Sequence, residues 1–470
     1  MPTDTIIVKL ATRAATGAFT KLPRGAERKT EVWNALVRNA QTSQTAAVKL
    51  VEDLKAQGLV TTYESLVSPN ALLIDPSGSN GKQITAAFQA PAGVAAIYDN
   101  TGTVLFGANK LGAAEWGAER VQADTGLDVF SRGMTFASLP TVPGITNGEG
   151  TPYGLDMIGA GTANAAGADG HGLVFGSIDT GADVTHEAIN AGFRGRQADG
   201  ALVGDYSWYS FGSQHRALPK DFDTHGTHTV GTATGRKVGV APAAKWISVA
   251  GLQGGLDVRL KALQYMQAPV DFNGLNPKPE LAPDVVGMSW WTGPKSSDAF
   301  RDSMQNLQAA GIVTTKSAGN NGDGPETISS PGQFREVIAT AAVDKNGDIA
   351  QFSSRGPSPL PHTGGDPDWK PDFSAPGVDV LSSVPGNRYQ TMSGTSMAQP
   401  HMAGAILDIL SVYPQLTTEQ LQTVLQSSSR DTGAKGRDLE FGFGIIDIPA
   451  ALAVAAKLYP TTPAPITEAG

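Results

Sequence analysis

Short apolar runs recur beyond residue 170, and they constrain the fold of this chain more than any other feature. "GLVFGSI", "AKWISVA", "DVVGMSW", "GIVTTKSAG" and "EVIATAAV" alternate with segments of helical spacing. Runs of that length, bounded by turn residues and followed by helices, predict parallel strands, because a parallel crossover needs a helix and the helix must bury its apolar stripe on the sheet. The expected fold class is therefore α/β, a parallel sheet with helices on both faces. In such sheets the active groups gather where strands end and loops begin.

Residues 1–108 read as a separate small unit. "TIIVKL" is a strand, "EVWNALVRNAQTSQTAAVKLVEDLKAQG" a helix ending at Gly58, "LVTTYESL" and "NALLID" two strands, "GKQITAAFQA" a second helix and "VAAIYD" a strand. The order β-α-β-β-α-β predicts an α+β plait of the ferredoxin type. Residues 109–150 lose periodicity and end in "SLPTVPGITNGEGTP", which reads as a linker. The sheet-bearing unit is expected over 151–456, and 457–470 as a disordered tail.

Composition narrows the function. The chain has 470 residues, a formal charge of −9 and no cysteine. An acidic balance without a dense Lys/Arg cluster argues against nucleic acid or an anionic membrane as partner. The missing cysteines exclude disulfides, thiolate metal sites and a cysteine nucleophile. No apolar run reaches the roughly twenty residues of a membrane span, and "MPTDTIIVKLATRAATG" lacks the pattern of a signal peptide. Nothing in the sequence requires more than a monomer.

Three segments carry chemistry. In "MSGTSMAQPHMAG", Ser396 follows a glycine turn and opens an apolar helix, where free N–H groups point outward. "GSIDTGADVTH" places Asp179 just after a strand, and "DTHGTHTVGTATG" places His225 at the start of a small-residue helix. A hydroxyl needs a base to become a nucleophile near neutral pH, imidazole suits that task, and a buried carboxylate holds the imidazole's tautomer. Singly, each has a plainer reading: Ser396 as a helix cap, Asp179 as a turn former, His225 and His228 as structural or as a weak metal pair. The His spacing lacks the intervening Glu of a zinc protease. His401 reads as a packed helix residue. In "KSAGNNG", Asn320 offers a side-chain amide for an oxyanion, although Asn-Asn-Gly is also an ordinary turn.

Together "IDTG", "HGTH", "SAGN" and "GTSMAQPH", in that order, resemble the signatures of the subtilisin-like serine proteases. The order Asp, His, Ser disfavours an α/β-hydrolase, whose order is Ser, acid, His. Within the family, "VGVAPAAKWISVAG", "ALQYMQAPVDFNGLNPKPELAPDVVGMSW" and "KPDFSAPGVDVLSSVPG" resemble the bacillopeptidase F branch. The resemblance implies Asp179 as orienting acid, His225 as general base and acid, Ser396 as nucleophile and Asn320 as oxyanion donor. It implies that Gly254 and Gly255, and Ser289, Trp290 and Trp291, flank an extended peptide, with Ser317, Ala318 and Gly319 completing the substrate-binding set. Trp291 stands where the family usually has glycine, so it either narrows the pocket or turns away to pack against protein. Gln399 replaces a usually smaller residue.

The N-terminal unit resembles the family's propeptide, an intramolecular inhibitor removed by processing between about 105 and 150. Both "AEWGAERVQA" and "PYGLDMIGAG" fit the start of the mature chain. The expected activity is that of an endopeptidase acting on proteins, made as a zymogen and located outside the cell with its signal removed. The alternatives are an intracellular processing protease and a peptide-binding pseudoenzyme. No cofactor is required for the chemistry. Structural calcium is the one metal expectation, at "NNGDGPE" or "HTGGDPDWKPD"; "DKNGD" reads better as a hairpin turn.

Overall fold

The computed structural model describes residues 4–89, 93–100, 104–107, 152–290, 298–359 and 369–460. The first part contains β1 (Ile6–Leu10), α1 (Ala26–Ser43), α2 (Thr45–Ala56), β2 (Val60–Leu66), β3 (Ala71–Pro76), α3 (Gly81–Gln89), β4 (Val94–Tyr98) and β5 (Val104–Gly107). Its sheet has the order β2-β3-β1-β4-β5, with β1 antiparallel to both neighbours. This is the expected plait with one added edge strand. The single helix expected over 31–58 is instead two helices that meet at Gln44. Thr42, Ser43 and Thr45 turn their hydroxyls back onto the carbonyls of Arg38, Asn39 and Gln41, which bends a helix, and Gln44 directs its amide to Leu66 O and Asn70 Oδ1.

The larger part runs through α4 (Tyr153–Met157), α5 (Ala160–Ala165), β6 (Val174–Asp179), β7 (Trp208–Ser210), α6 (His225–Thr234), β8 (Lys245–Ala250), α7 (Leu256–Gln267), β9 (Val285–Met288), α8 (Arg301–Ala309), β10 (Val313–Ser317), β11 (Val337–Val343) and β12 (Phe373–Pro376). It closes with the hairpin β13 (Val380–Val384) and β14 (Arg388–Met392), then α9 (Thr395–Val412), α10 (Thr418–Ser428) and α11 (Ile448–Leu458). Seven strands form one sheet in the order β12-β11-β10-β9-β6-β8-β7, every pair parallel. The five apolar runs are its inner strands. The edges β7 and β12 are too short and too polar to stand out in the sequence. α11 carries the ordered chain past the boundary expected at 456.

Strand order reverses between β6 and β9: β8 flanks β6 on one side and β9 on the other. A crevice therefore opens outside the carboxyl ends of these two strands. α9 runs through the middle of the molecule, and every residue from Thr395 to Leu410 is buried, so the apolar run that marks it has no polar face.

The two parts share one apolar cluster. Ile7, Leu73 and Tyr98 of the small sheet pack with Leu256 and Leu260 of α7 and with Met304 and Leu307 of α8. Buried ion pairs join them as well, Lys9 to Asp302 at 3.0 Å and Lys29 to Asp284 at 2.8 Å. At the other end, Asn100 lies on the first turn of α7: its carbonyl accepts from Leu256 N–H and its Oδ1 from Asp257 N–H, each at 2.9 Å. The linker over 109–150, with "AEWGAERVQA", and the tail beyond 460 lie outside the described residues. "PYGLDMIGAG" folds as α4 and the start of α5.

Candidate active site

The site begins at the reversal of strand order. Ile178 of β6 is in register with Met288 of β9, so Asp179 and Ser289 leave the sheet side by side. Asp179 accepts three hydrogen bonds: from Thr180 N–H at 2.7 Å, from Thr229 Oγ1 at 3.1 Å and from His225 Nδ1 at 2.6 Å. His225 opens α6, and Thr229 follows one turn later on the same face. The helix thus presents both groups to one carboxylate, and the bond fixes the imidazole with its proton on Nδ1 and Nε2 as the basic atom. Burial alone would push the His225 imidazole down; the Asp179 charge and hydrogen bond, with Asp221 and Asp223 beyond, outweigh it and raise it above the ordinary histidine value.

Asp221 holds the start of that helix, a role the motifs did not reveal. Its carboxylate is buried and accepts from Thr180 Oγ1, Asp223 N–H, Thr227 N–H and Thr227 Oγ1 between 2.6 and 3.0 Å. Thr180 Oγ1 in turn accepts from Gly226 N–H at 2.9 Å. A negative group at a helix N-terminus satisfies N–H donors that have no partner within the helix. The available signal was an acidic pair, Asp221 and Asp223, just ahead of "HGTH".

Ser396 is the second residue of α9, which packs against α6. Pro400 lies one turn on and has no N–H for the Ser396 carbonyl. The Ser289 hydroxyl stands in for the missing donor, its one proton placed between that carbonyl at 2.9 Å and Gln399 Oε1 at 2.7 Å. The Ser396 hydroxyl itself donates to Ser289 O at 3.3 Å. Gln399 ties this pair back to the sheet by donating to Thr315 Oγ1 at 2.7 Å. Gln399 is therefore a brace behind the site rather than a wall of it.

Asn320 lies beyond β10. Its Oδ1 accepts from Thr395 N–H and Thr395 Oγ1 at 2.9 and 2.8 Å, which sets the amide's orientation and turns Nδ2 toward Gly394. Thr395 Oγ1 also accepts from Gly319 N–H at 3.2 Å. The amide donor, the helix N-terminus and Ser396 thus meet at one point.

The remaining expected site residues divide. Gly255 is where Asn100 docks: a Cβ there would lie 2.4 Å from Asn100 Oδ1, so glycine is required for the approach. Gly254 O accepts from Arg259 at 2.9 Å. Ser317 ends β10, and Ala318 and Gly319 lead on to Asn320. Trp290 turns its side chain the other way: its ring is buried, edge-on to Phe300, because it alternates with Ser289. Its side chain belongs to the core. Trp291 lies outside the described residues.

His228 and His401 are structural. His228 Nε2 is shared by the carbonyls of Val380 and Gln390, and burial pushes the ring down to about 3. His401 Nδ1 bonds Met397 O, and burial takes it to about 4. In "DKNGD", Asp344 Oδ1 accepts the N–H groups of Asn346 and Asp348, closing a turn. Among the described residues no cluster of three acidic or His side chains fits a metal ion, and residues 362–368 of "HTGGDPDWKPD" lie outside them.

Comparison with known proteins agrees with this geometry. The profile of the Subtilase family matches residues 170–444, more than half of the chain. The chain belongs to the subtilase family of serine endopeptidases. This subtilase is 36% identical to bacillopeptidase F of Bacillus subtilis (strain 168) over 66% of its own length and 22% of that protein's. It is 33% identical to subtilisin DY of Bacillus licheniformis over 64% of its length and 98% of that protein's. The major intracellular serine protease of Bacillus subtilis (strain 168) is 28% identical over 67% of this chain and 90% of that protein. Among the described residues no helix of this subtilase is long and apolar enough to cross a membrane.

Proposed function

We propose that this subtilase hydrolyses peptide bonds of proteins through an acyl-enzyme on Ser396. The observation that carries the reading is the buried His225–Asp179 bond of 2.6 Å at the same crevice as a serine on a helix N-terminus. The Ser396 hydroxyl attacks the peptide carbonyl while His225 Nε2 takes its proton, and Asp179 offsets the imidazolium charge. The oxyanion is met by Asn320 Nδ2 and the Ser396 N–H. His225 returns the proton to the leaving amine, and water then enters and releases the acyl group by the same steps in reverse. The extended peptide lies between the Gly254–Gly255 segment and the chain after Ser289, where main-chain pairing carries affinity for many sequences.

Residues 1–108 act as a propeptide that the chain removes itself. The shared apolar cluster, the ion pairs and the contact of Asn100 on Gly255 support this, since they seat the N-terminal unit on a substrate-binding segment. The mature enzyme works as a monomer outside the cell. Intact mass of wild type and Ser396→Ala, followed side by side, tests both claims. Wild type alone loses an N-terminal fragment of about a hundred or more residues and reacts with a serine-directed phosphonate. Equal proteolysis by Ser396→Ala refutes the assignment of the nucleophile.

A further inference from the structure

Lys316 is a buried cation that the mechanism does not use. It sits on β10 in register with Met288, is fully buried, and has its ammonium over the Trp290 ring. Nζ donates to Ser317 O at 2.8 Å, Ser317 Oγ at 2.7 Å and Ser329 Oγ at 3.4 Å. All three acceptors are neutral, and among the described residues no carboxylate pairs with it. Burial lowers the amine to about 7 with no opposing charge. An uncompensated buried cation is costly, and apolar residues of similar volume are usually better tolerated.

The position of this ammonium relative to the reacting centre can be traced contact by contact. Asn320, the oxyanion donor, follows Gly319. A Cβ on Gly319 would lie 3.0 Å from Ser329 Oγ, and Ser329 N–H donates to Ala318 O at 2.8 Å. Ser329 Oγ is in turn the outermost of the ammonium's acceptors. Lys316 Nζ is therefore tied through Ser317 and Ser329 to the segment that carries Asn320. Two further polar groups at this place are buried with no hydrogen-bond partner among the described residues, the Ser330 hydroxyl and Trp290 Nε1. A second cation, Arg259, also lies 5.8 Å from the Trp290 ring centre and is answered by the charge of Asp257.

We propose that this subtilase selects substrates with an acidic side chain immediately before the cleaved bond, the carboxylate displacing the serine oxygens as the acceptor for Lys316. The inference rests on the endopeptidase reading above. Glutamate reaches deeper than aspartate and is the better fit to an ammonium that lies behind two hydroxyls.

The test is a set of fluorogenic peptides that differ only in the residue before the scissile bond: Glu, Asp, Gln and Leu. They are assayed with the full chain before and after limited trypsin treatment, and with the Lys316→Met variant alongside. Glu against Gln isolates charge at constant shape. Wild type is expected to favour Glu over Gln by about 10- to 150-fold in kcat/KM, the range for a hydrogen bond to a charged group. Lys316→Met should bring that ratio to one or below. A wild-type ratio of one or less overturns the proposal without any variant, as does a Glu preference that survives Lys316→Met. Failure of the endopeptidase reading looks different: no peptide is cleaved and Ser396 takes no phosphonate label, and the proposal falls with it.

Discussion

Gly226, the residue after His225, offers the sharpest test of the geometry. A Cβ built on it lies 2.0 Å from Gly181 O and 3.0 Å from Gly181 N and C, whereas ordinary contacts begin at 3.4 Å. The obstacle is backbone on both sides, so Gly226→Ala must part the start of α6 from the turn after Asp179 by about 1.4 Å. If the start of α6 carries His225 away by half of that distance while the turn at Gly181 yields the rest without moving Asp179, the His225–Asp179 bond of 2.6 Å opens to about 3.3 Å, beyond the normal limit. Asp221, which holds the same turn of α6 through Thr227, resists any larger retreat. Loss of the imidazole's orientation should lower kcat by about 10²- to 10⁴-fold, and the overpacking should cost about 1–3 kcal/mol of stability. Peptide hydrolysis and phosphonate labelling give the first number, and thermal or denaturant unfolding gives the second. Gly161→Ala is the control, since a Cβ there meets nothing within 4 Å and should leave both unchanged. A Gly226→Ala enzyme with wild-type kcat would refute the claim that the Gly181–Gly226 approach sets the triad.

Other expectations follow from the same contacts. Asn320→Ala should reduce kcat by about 10²- to 10³-fold with little change in KM; the magnitude is the one established for the oxyanion asparagine of subtilisin. The reaction needs His225 neutral, and the net charge of Asp179, Asp221 and Asp223 raises it, so kcat/KM should rise with pH along a limb centred above the ordinary histidine value of about 6.5. Asp221→Asn removes one of those charges and should move the limb to lower pH; a limb that stays in place contradicts the assignment. Lys29→Met, made in the Ser396→Ala background to prevent cleavage, leaves a half-buried Asp284 without its cation. Asp284 still accepts Val174 N–H at 3.0 Å, so the loss in unfolding free energy should be about 2–3 kcal/mol rather than the full cost of a broken buried pair. An unchanged denaturation midpoint would show that the pair does not secure the N-terminal unit.

Much of this molecule is local and was therefore open to reading along the chain. The five inner strands of the large sheet, the α+β order of the N-terminal unit and the positions of Asp179, His225, Asn320 and Ser396 each depend on a few consecutive residues. Apolar runs, a glycine turn before a helix and a histidine at a helix start carry their own signals. The break at Gln44 did not, because it arises from hydroxyls turning back on the helix and from an amide reaching Leu66 and Asn70 in the next strand and turn. The short edges β7 and β12 gave no periodic signal either.

What the tertiary structure alone decided is which residues stand behind the signatures. Asp221 matters because four donors from two segments converge on it, and Gln399 because it spans from α9 to β10. The Trp290 ring lies in the core, since alternation along the chain after β9 turns its neighbour Ser289 to Ser396 and Gln399 instead. Lys316 reads in the sequence as an ordinary strand residue, and only burial with no counter-charge sets it apart. The sequence by itself determined the class of fold and the family, because those follow from residue type and short-range spacing. The braces, the docking of Asn100 on Gly255 and the burial of Lys316 depend on groups far apart in the chain, whose energies exist only once burial removes water and brings them together.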